Sequence, residues 1–199
     1  MTDRGAWITV ILIVATVLLA AFLGYGFNSL TSSSEKSKTS TVNLDVVADW
    51  GGAGYDAFVL NDNIGNVPSP ATNSTGPGVN NNNITVSAGS TVQFVITSTD
   101  TAVNANFTHQ VTTPFVLYND TDSGQVSLSY AQGQFVNNLP VGHTFTITSL
   151  GLNIPIPVDT IVTFSYTFIT PGVYIYECET PCGPGMGLMG YMTGAIVVK

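Results

Sequence analysis

The chain has 199 residues, room for one folded domain plus an anchoring segment but not for two full domains. Only 8% of residues are charged, and the net charge is −8. Beyond residue 40 the basic side chains reduce to Lys199, against ten carboxylates from Asp45 to Glu179, so nothing on this surface suits phosphate and no nucleic-acid partner is expected.

From Ala6 to Phe27 there is no charged residue, and the run WITVILIVATVLLAAFLGYGF matches the ~20 residues that cross a bilayer core. Residues 1–28 therefore read as one N-terminal transmembrane helix. A cleaved signal peptide is the competing reading, but its apolar stretch would be shorter, and no small-x-small cleavage site follows Ala20 or Ala21. Arg4 favours a cytoplasmic N-terminus, with Lys36 and Lys38 arguing weakly the other way. The expected location is the cell membrane, single-pass, with the C-terminal domain extracytoplasmic. Residues 29–41 form a polar, Ser/Thr-rich linker.

Residues 42–199 show no helical period and many strand signals. The stretches 83–99, 143–150, 160–170, 172–179 and 193–199 alternate Val, Ile, Phe and Tyr with Thr and Ser between Gly and Pro punctuation. That pattern predicts an all-β domain, a Greek-key β-sandwich. Residues 61–83, rich in Asn, Pro and Gly, read as a loop, and 101–142 as an insertion with some strand of its own. Four Asn-x-Ser/Thr sequons, at Asn73, Asn83, Asn106 and Asn119, are compatible with external exposure and prove nothing.

The chemistry concentrates in YECETPCGPGMGLMGYMTGAIVVK, residues 176–199. Cys178, Cys182, Met186, Met189 and Met192 fall between two predicted strands, among glycines that let a loop close tightly. Thiolate and thioether are soft ligands that select Cu(I). Structural zinc wants four Cys/His ligands in paired spacings, which two Cys and two His in total fit poorly. A redox disulfide is a second rival, although Cys-x-x-x-Cys between strands is not the usual Cys-x-x-Cys at a helix start. Plain core packing is a third. His143 precedes a strand that a Greek-key sandwich would pair near this loop, whereas His109 reads as an ordinary strand or surface residue, or as a replacement ligand should the insertion fold over the loop.

His143 to Lys199 resembles the copper domain of cytochrome oxidase subunit II. That family runs His-x-Phe, Leu-Gly, a Pro, Pro-Gly-x-Tyr, then Cys-x-x-x-Cys-Gly-x-x-His-x-x-Met. Here the corresponding stretches are HTF (143–145), LG (150–151), IPIP (154–157), PGVY (171–174) and CETPCGPGMGLM (178–189). Upstream, ITVSAGSTVQFVITSTD (84–100) is similar to the strand pair that leads into the family's ligand histidine. The resemblance implies a cupredoxin fold with a dinuclear CuA-type copper centre. By position, Cys178 and Cys182 would be bridging thiolates, His143 and Met189 terminal ligands, and Thr180 a backbone carbonyl ligand.

Met186 departs from the family by standing where it has a second histidine. A thioether there favours Cu(I) and raises the reduction potential. Three outcomes stay open: a dinuclear centre with a Met ligand, which is preferred; a mononuclear one of His143, one Cys and a Met; or a lost centre, as in a quinol-oxidising relative. The implied function is a non-catalytic electron-accepting subunit of a haem-copper terminal oxidase, B-type-like in its single helix. Its partners would be subunit I and a soluble copper protein, cytochrome or quinol as donor. The alternatives are a free-standing membrane-anchored mononuclear blue-copper carrier and a pilin-like or surface-layer protein. No Ser-His-Asp or carboxylate-pair pattern supports a hydrolase.

Overall fold

The computed structural model describes residues 39–48, 55–60, 83–121, 124–183, 186 and 191–199. The anchor (1–28), most of the linker and most of the loop 61–83 lie outside the described residues. Among the described residues no helix is long and apolar enough to cross a membrane.

The described residues are all-β. Thirteen strands make two main sheets and a ribbon. β1 (Thr39–Val47), β2 (Ala57–Leu60), β4 (Ser90–Ser98), β6 (Phe115–Thr121), β7 (Gly124–Tyr130) and β11 (Ile161–Phe168) build a six-stranded sheet, in the order β2-β1-β4-β11-β6-β7. β3 (Asn83–Val86), β9 (His143–Ile147), β10 (Leu152–Ile156), β12 (Gly172–Glu177) and β13 (Thr193–Val198) build a five-stranded sheet, in the order β10-β9-β12-β13-β3. β5 (Ala105–Gln110) pairs with β8 (Phe135–Val141) as a separate ribbon. Two pairings are parallel, β1 with β4 and β3 with β13; each needs a crossover, so the chain passes repeatedly from one sheet to the other.

Period-2 alternation sets the core. On β4, Val92, Phe94 and Ile96 point inward and are fully buried, while Gln93 between them is exposed. Phe94 stacks on Phe164 of β11 at 4.8 Å and meets Phe145 of β9, from the opposite sheet, at 5.3 Å. Phe145 also stacks on Tyr176 of β12 at 4.9 Å. These rings join the two sheets directly above the strand ends that carry the cysteines and histidine.

The segment 101–142, read as an insertion, supplies β5 to β8. Its hairpin β6–β7 extends the six-stranded sheet through β11, and Phe107, Val111, Phe115, Leu117, Val136 and Val141 belong to the same apolar core as the rest of the sandwich. β1 begins at Thr39, within the residues read as linker. The long 83–99 stretch resolves into β3 and β4, separated by a turn in which Gly89 takes a φ of 79°.

Phe145→Ala should cost about 3–5 kcal/mol, because a fully buried ring contacting both sheets leaves a cavity that cannot collapse. Ile169→Ser, at a position 77% exposed, should stay within about 0.5 kcal/mol of wild type. Denaturant unfolding of the two variants checks both.

Candidate metal centre

The pairing of β9 with β12 assembles the site. Thr146 stands opposite Glu177 in an antiparallel register, so counting outward along both strands sets His143 across from Thr180. The contact continues past the last strand residue, since the Glu179 backbone N–H donates to Thr144 Oγ1 at 2.9 Å. His143 shares the inward side of β9 with Phe145 and Ile147, and Cys178 follows Tyr176 by one period-2 step. Both functional side chains thus continue inward rows of the core and meet at its end.

The donors lie close together and out of water. His143 is fully buried, and Cys178 and Cys182 are each 4% exposed. Nδ1 of His143 is 3.9 Å from Cys178 Sγ, and the two Sγ atoms, of unbonded cysteines, are 2.7 Å apart. One ligand atom from each of the three residues falls within 4.8 Å of the other two. Thr180 is also present: its hydroxyl is 3.0 Å from Cys178 Sγ and donates to the Gly142 carbonyl at 3.1 Å. Its backbone carbonyl, 3.8 Å from Cys178 Sγ, accepts the Cys182 N–H at 2.7 Å, which closes a tight turn between the cysteines. Gly183 follows with a φ of 95°, a conformation that strongly favours glycine.

The loop is latched at its far end. The Cys178 N–H donates to the Met192 carbonyl at 3.0 Å, and Thr193 Oγ1 donates to the Met186 carbonyl at 3.2 Å. Met192 is fully buried within the core, and Met186 is half-buried and packed against it. Met189 lies outside the described residues. His109 is exposed on β5 with its ring against Phe107, outside the Cys/His group. Glu179 is exposed and accepts from Thr148 Oγ1 at 3.3 Å.

Sequence reasoning did not single out Asp100. Its Oδ2 is 2.8 Å from His143 Nε2, and the residue is 6% exposed. Asp56, half-buried, stands 4.0 Å from the same nitrogen. Asp100 is 43 positions from His143, and a carboxylate closing a strand looks like any loop residue in the sequence.

These contacts pull the two thiols apart in acidity. Two sulfurs this close cannot both carry charge, so the Cys182 thiol donates to Cys178. That bond outweighs the upward push of burial and, with His143, brings Cys178 down to about 4. Cys182, as the donor beside a thiolate and itself buried, is held well above the usual thiol range. Burial pushes His143 down, but the Cys178 sulfur and the Asp100 carboxylate more than offset it, and its net shift is upward.

The donor set is two soft sulfurs and an imidazole with its Nδ1 turned toward them, held in a dry pocket. That chemistry fits copper, and a half-buried thioether at Met186 stands on the same loop.

No family model matches the chain, and no curated protein does. Among solved structures, the chain is similar to the periplasmic domain of cytochrome oxidase subunit II (CoxB) of Bradyrhizobium japonicum. The two share 13% identity at a TM-score of 0.39, over 80% of this chain and 83% of that one. Auracyanin B matches at 13% identity and a TM-score of 0.36, over 80% and 88% of the two chains. A chain of a heme-copper terminal oxidase dimer matches at 16% identity and 0.35, over 96% and 98%. Likeness at this level leaves the chemistry to be argued from this chain's own residues.

In the metal-free protein, Cys178 should remain a thiolate from neutral pH downward and protonate only as the pH falls through about 4. Ultraviolet thiolate absorbance should therefore persist at mildly acidic pH, disappear in Cys178→Ser, and shift to higher pH in Cys182→Ala, which removes the donor.

Proposed function

We propose that the chain is the electron-accepting, subunit II-like component of a haem-copper terminal oxidase. It takes electrons from an external donor at an extracytoplasmic copper centre and passes them to haem in the membrane-embedded subunit I. Residues 1–28 would anchor it in the cell membrane, with the sandwich outside. The observation that carries the reading is the meeting of a buried imidazole and two buried thiols, from β9 and the β12–β13 loop, at one end of the core.

Bound there, copper supplies a one-electron couple between Cu(I) and Cu(II). Cys178 and Cys182 would hold it as thiolates, His143 through Nδ1, and Met186 or Met189 through a thioether. The protein's part is to keep those donors still. Cys178 is fixed by its N–H on Met192, Cys182 by its N–H on Thr180, and the start of β9 by the Thr180 hydroxyl on Gly142. A donor set already in position changes little between oxidation states, and near-complete burial keeps water from the metal. The Thr180 carbonyl, engaged with Cys182 and 3.8 Å from Cys178 Sγ, would be a further oxygen donor for a second ion. Two thiolates beside it favour a dinuclear centre. A pilin-like scaffold would have no use for a buried imidazole beside its thiols.

The deciding experiment is copper content and electron paramagnetic resonance of the full chain purified in detergent. The expected result is a pair of copper ions sharing one unpaired electron, with hyperfine splitting from both nuclei and complete loss in Cys178→Ser. Splitting by a single nucleus with intense blue colour would move the chain to a mononuclear carrier. Failure of wild type to hold copper under reducing and oxidising conditions alike would sink the reading.

A further inference from the structure

His143 has two ring nitrogens, and the structure gives them different tasks. Nδ1 faces the Cys178 sulfur, and Nε2 lies 2.8 Å from Asp100 Oδ2. A carboxylate only accepts hydrogen bonds, so the hydrogen between Asp100 and His143 belongs to Nε2. Nδ1 is left to face the sulfurs: it donates to the Cys178 thiolate while the ring is protonated, and offers its lone pair once that proton has gone.

Asp100 is itself held in place. Its Oδ1 accepts the Ala102 N–H at 3.0 Å, and its backbone carbonyl accepts the Asp159 N–H at 3.1 Å. The segment it begins is clamped onto the residue before the histidine. Asn104 Nδ2 donates to the Gly142 carbonyl at 2.9 Å, and a Cβ on Gly142 would come within 3.0 Å of the Ala102 carbonyl oxygen and 3.6 Å of Asp100 Oδ2. The carboxylate and the imidazole are therefore positioned by the same close approach. Asp56 adds a second carboxylate 4.0 Å from Nε2, with a partner of its own.

We infer that Asp100 is the positioning residue of the centre: it selects the Nε2–H tautomer of His143, aims Nδ1 at the thiols, and strengthens that nitrogen as a donor to oxidised copper. The inference rests on the copper reading above for its last part only. His143 is the one imidazole that the described residues bring to the sulfurs, since His109 stands elsewhere. A carboxylate drawing on Nε2–H makes Nδ1 more electron-rich. That stabilises Cu(II) more than Cu(I) and opposes the upward pull of sulfur ligands on the reduction potential.

The test uses the full chain in detergent as wild type, Asp100→Asn and Asp100→Ala, with Asp56→Asn as control. The chain contains two histidines, so a ¹⁵N-histidine-labelled sample shows two rings, and His109→Gln assigns them. In metal-free wild type Nε2 of His143 should carry a hydrogen held against Asp100, and Asp100→Ala should lose the signal of that hydrogen-bonded N–H. In loaded protein, Cu(II) affinity measured by chelator competition should fall about ten- to hundredfold in Asp100→Ala, as for other outer-shell partners of histidine ligands, with Cu(I) affinity changing less. The potential should rise by ~59 mV for each tenfold loss confined to Cu(II).

Asp100→Asn keeps the shape and a carbonyl acceptor without the charge, so it should hold the tautomer and show part of the Cu(II) loss. It decides the matter if the alanine variant does not fold. A wild-type ring with no hydrogen on Nε2, or an Nε2–H signal unchanged in folded Asp100→Ala, or a Cu(II)-to-Cu(I) affinity ratio unchanged in folded Asp100 variants, overturns the inference. If wild type binds no copper, the copper reading fails separately, and the Nε2–H signal of the metal-free chain still decides what Asp100 does.

Discussion

One strand pairing governs where every donor stands. β9 and β12 are neighbours in the five-stranded sheet, and a single register, Thr146 opposite Glu177, sets the histidine at one strand's start against the cysteine loop at the other's end. A slip of one residue would turn Cys178 or His143 to the opposite face. The register is held from both sides: Phe145 stacks on Tyr176 inside, and Thr144 accepts the Glu179 N–H outside. β9 is buried along its whole length, so its threonines find partners in protein rather than water, with Thr146 Oγ1 donating to Asn153 at 3.2 Å.

Around that pairing the protein adds fixed geometry rather than charge. The cysteine loop is tied by backbone bonds to Met192 and Thr180, and the histidine strand by the Thr180 and Asn104 side chains that converge on the Gly142 carbonyl. The carboxylates lie on the far nitrogen of the imidazole, Asp100 buried at 2.8 Å and Asp56 half-buried at 4.0 Å. The arrangement brings strong donors together with little freedom to rearrange.

The sheet core was legible in the sequence wherever burial on one side imposes alternation. β4 and β11 are of this kind, whereas β13 is buried on both faces and shows itself by its Ile and Val content. β10 was not, because LNIPI places Pro155 in its middle; the structure tolerates it because β10 is an edge strand. β5 to β8 were hard to read for a related reason: the ribbon carries Pro140 and many exposed polar residues, with few inward positions to reveal its phase. For the site, local spacing showed the sulfurs, and the resemblance supplied the distant histidine. Asp100 and Gly142 were invisible because their roles exist only where three separated segments touch.

The chain order of the donors bears on how the centre is put together. The imidazole comes from β9, and the first sulfur follows 35 positions later, on a loop whose latch to Met192 forms only when β13 has docked beside β3 and β12. During synthesis the histidine and its carboxylate are therefore complete before any thiol has emerged. The pocket closes last, at one end of a finished sandwich. The chain order thus leaves the two sulfurs as the last part of the site to take their places.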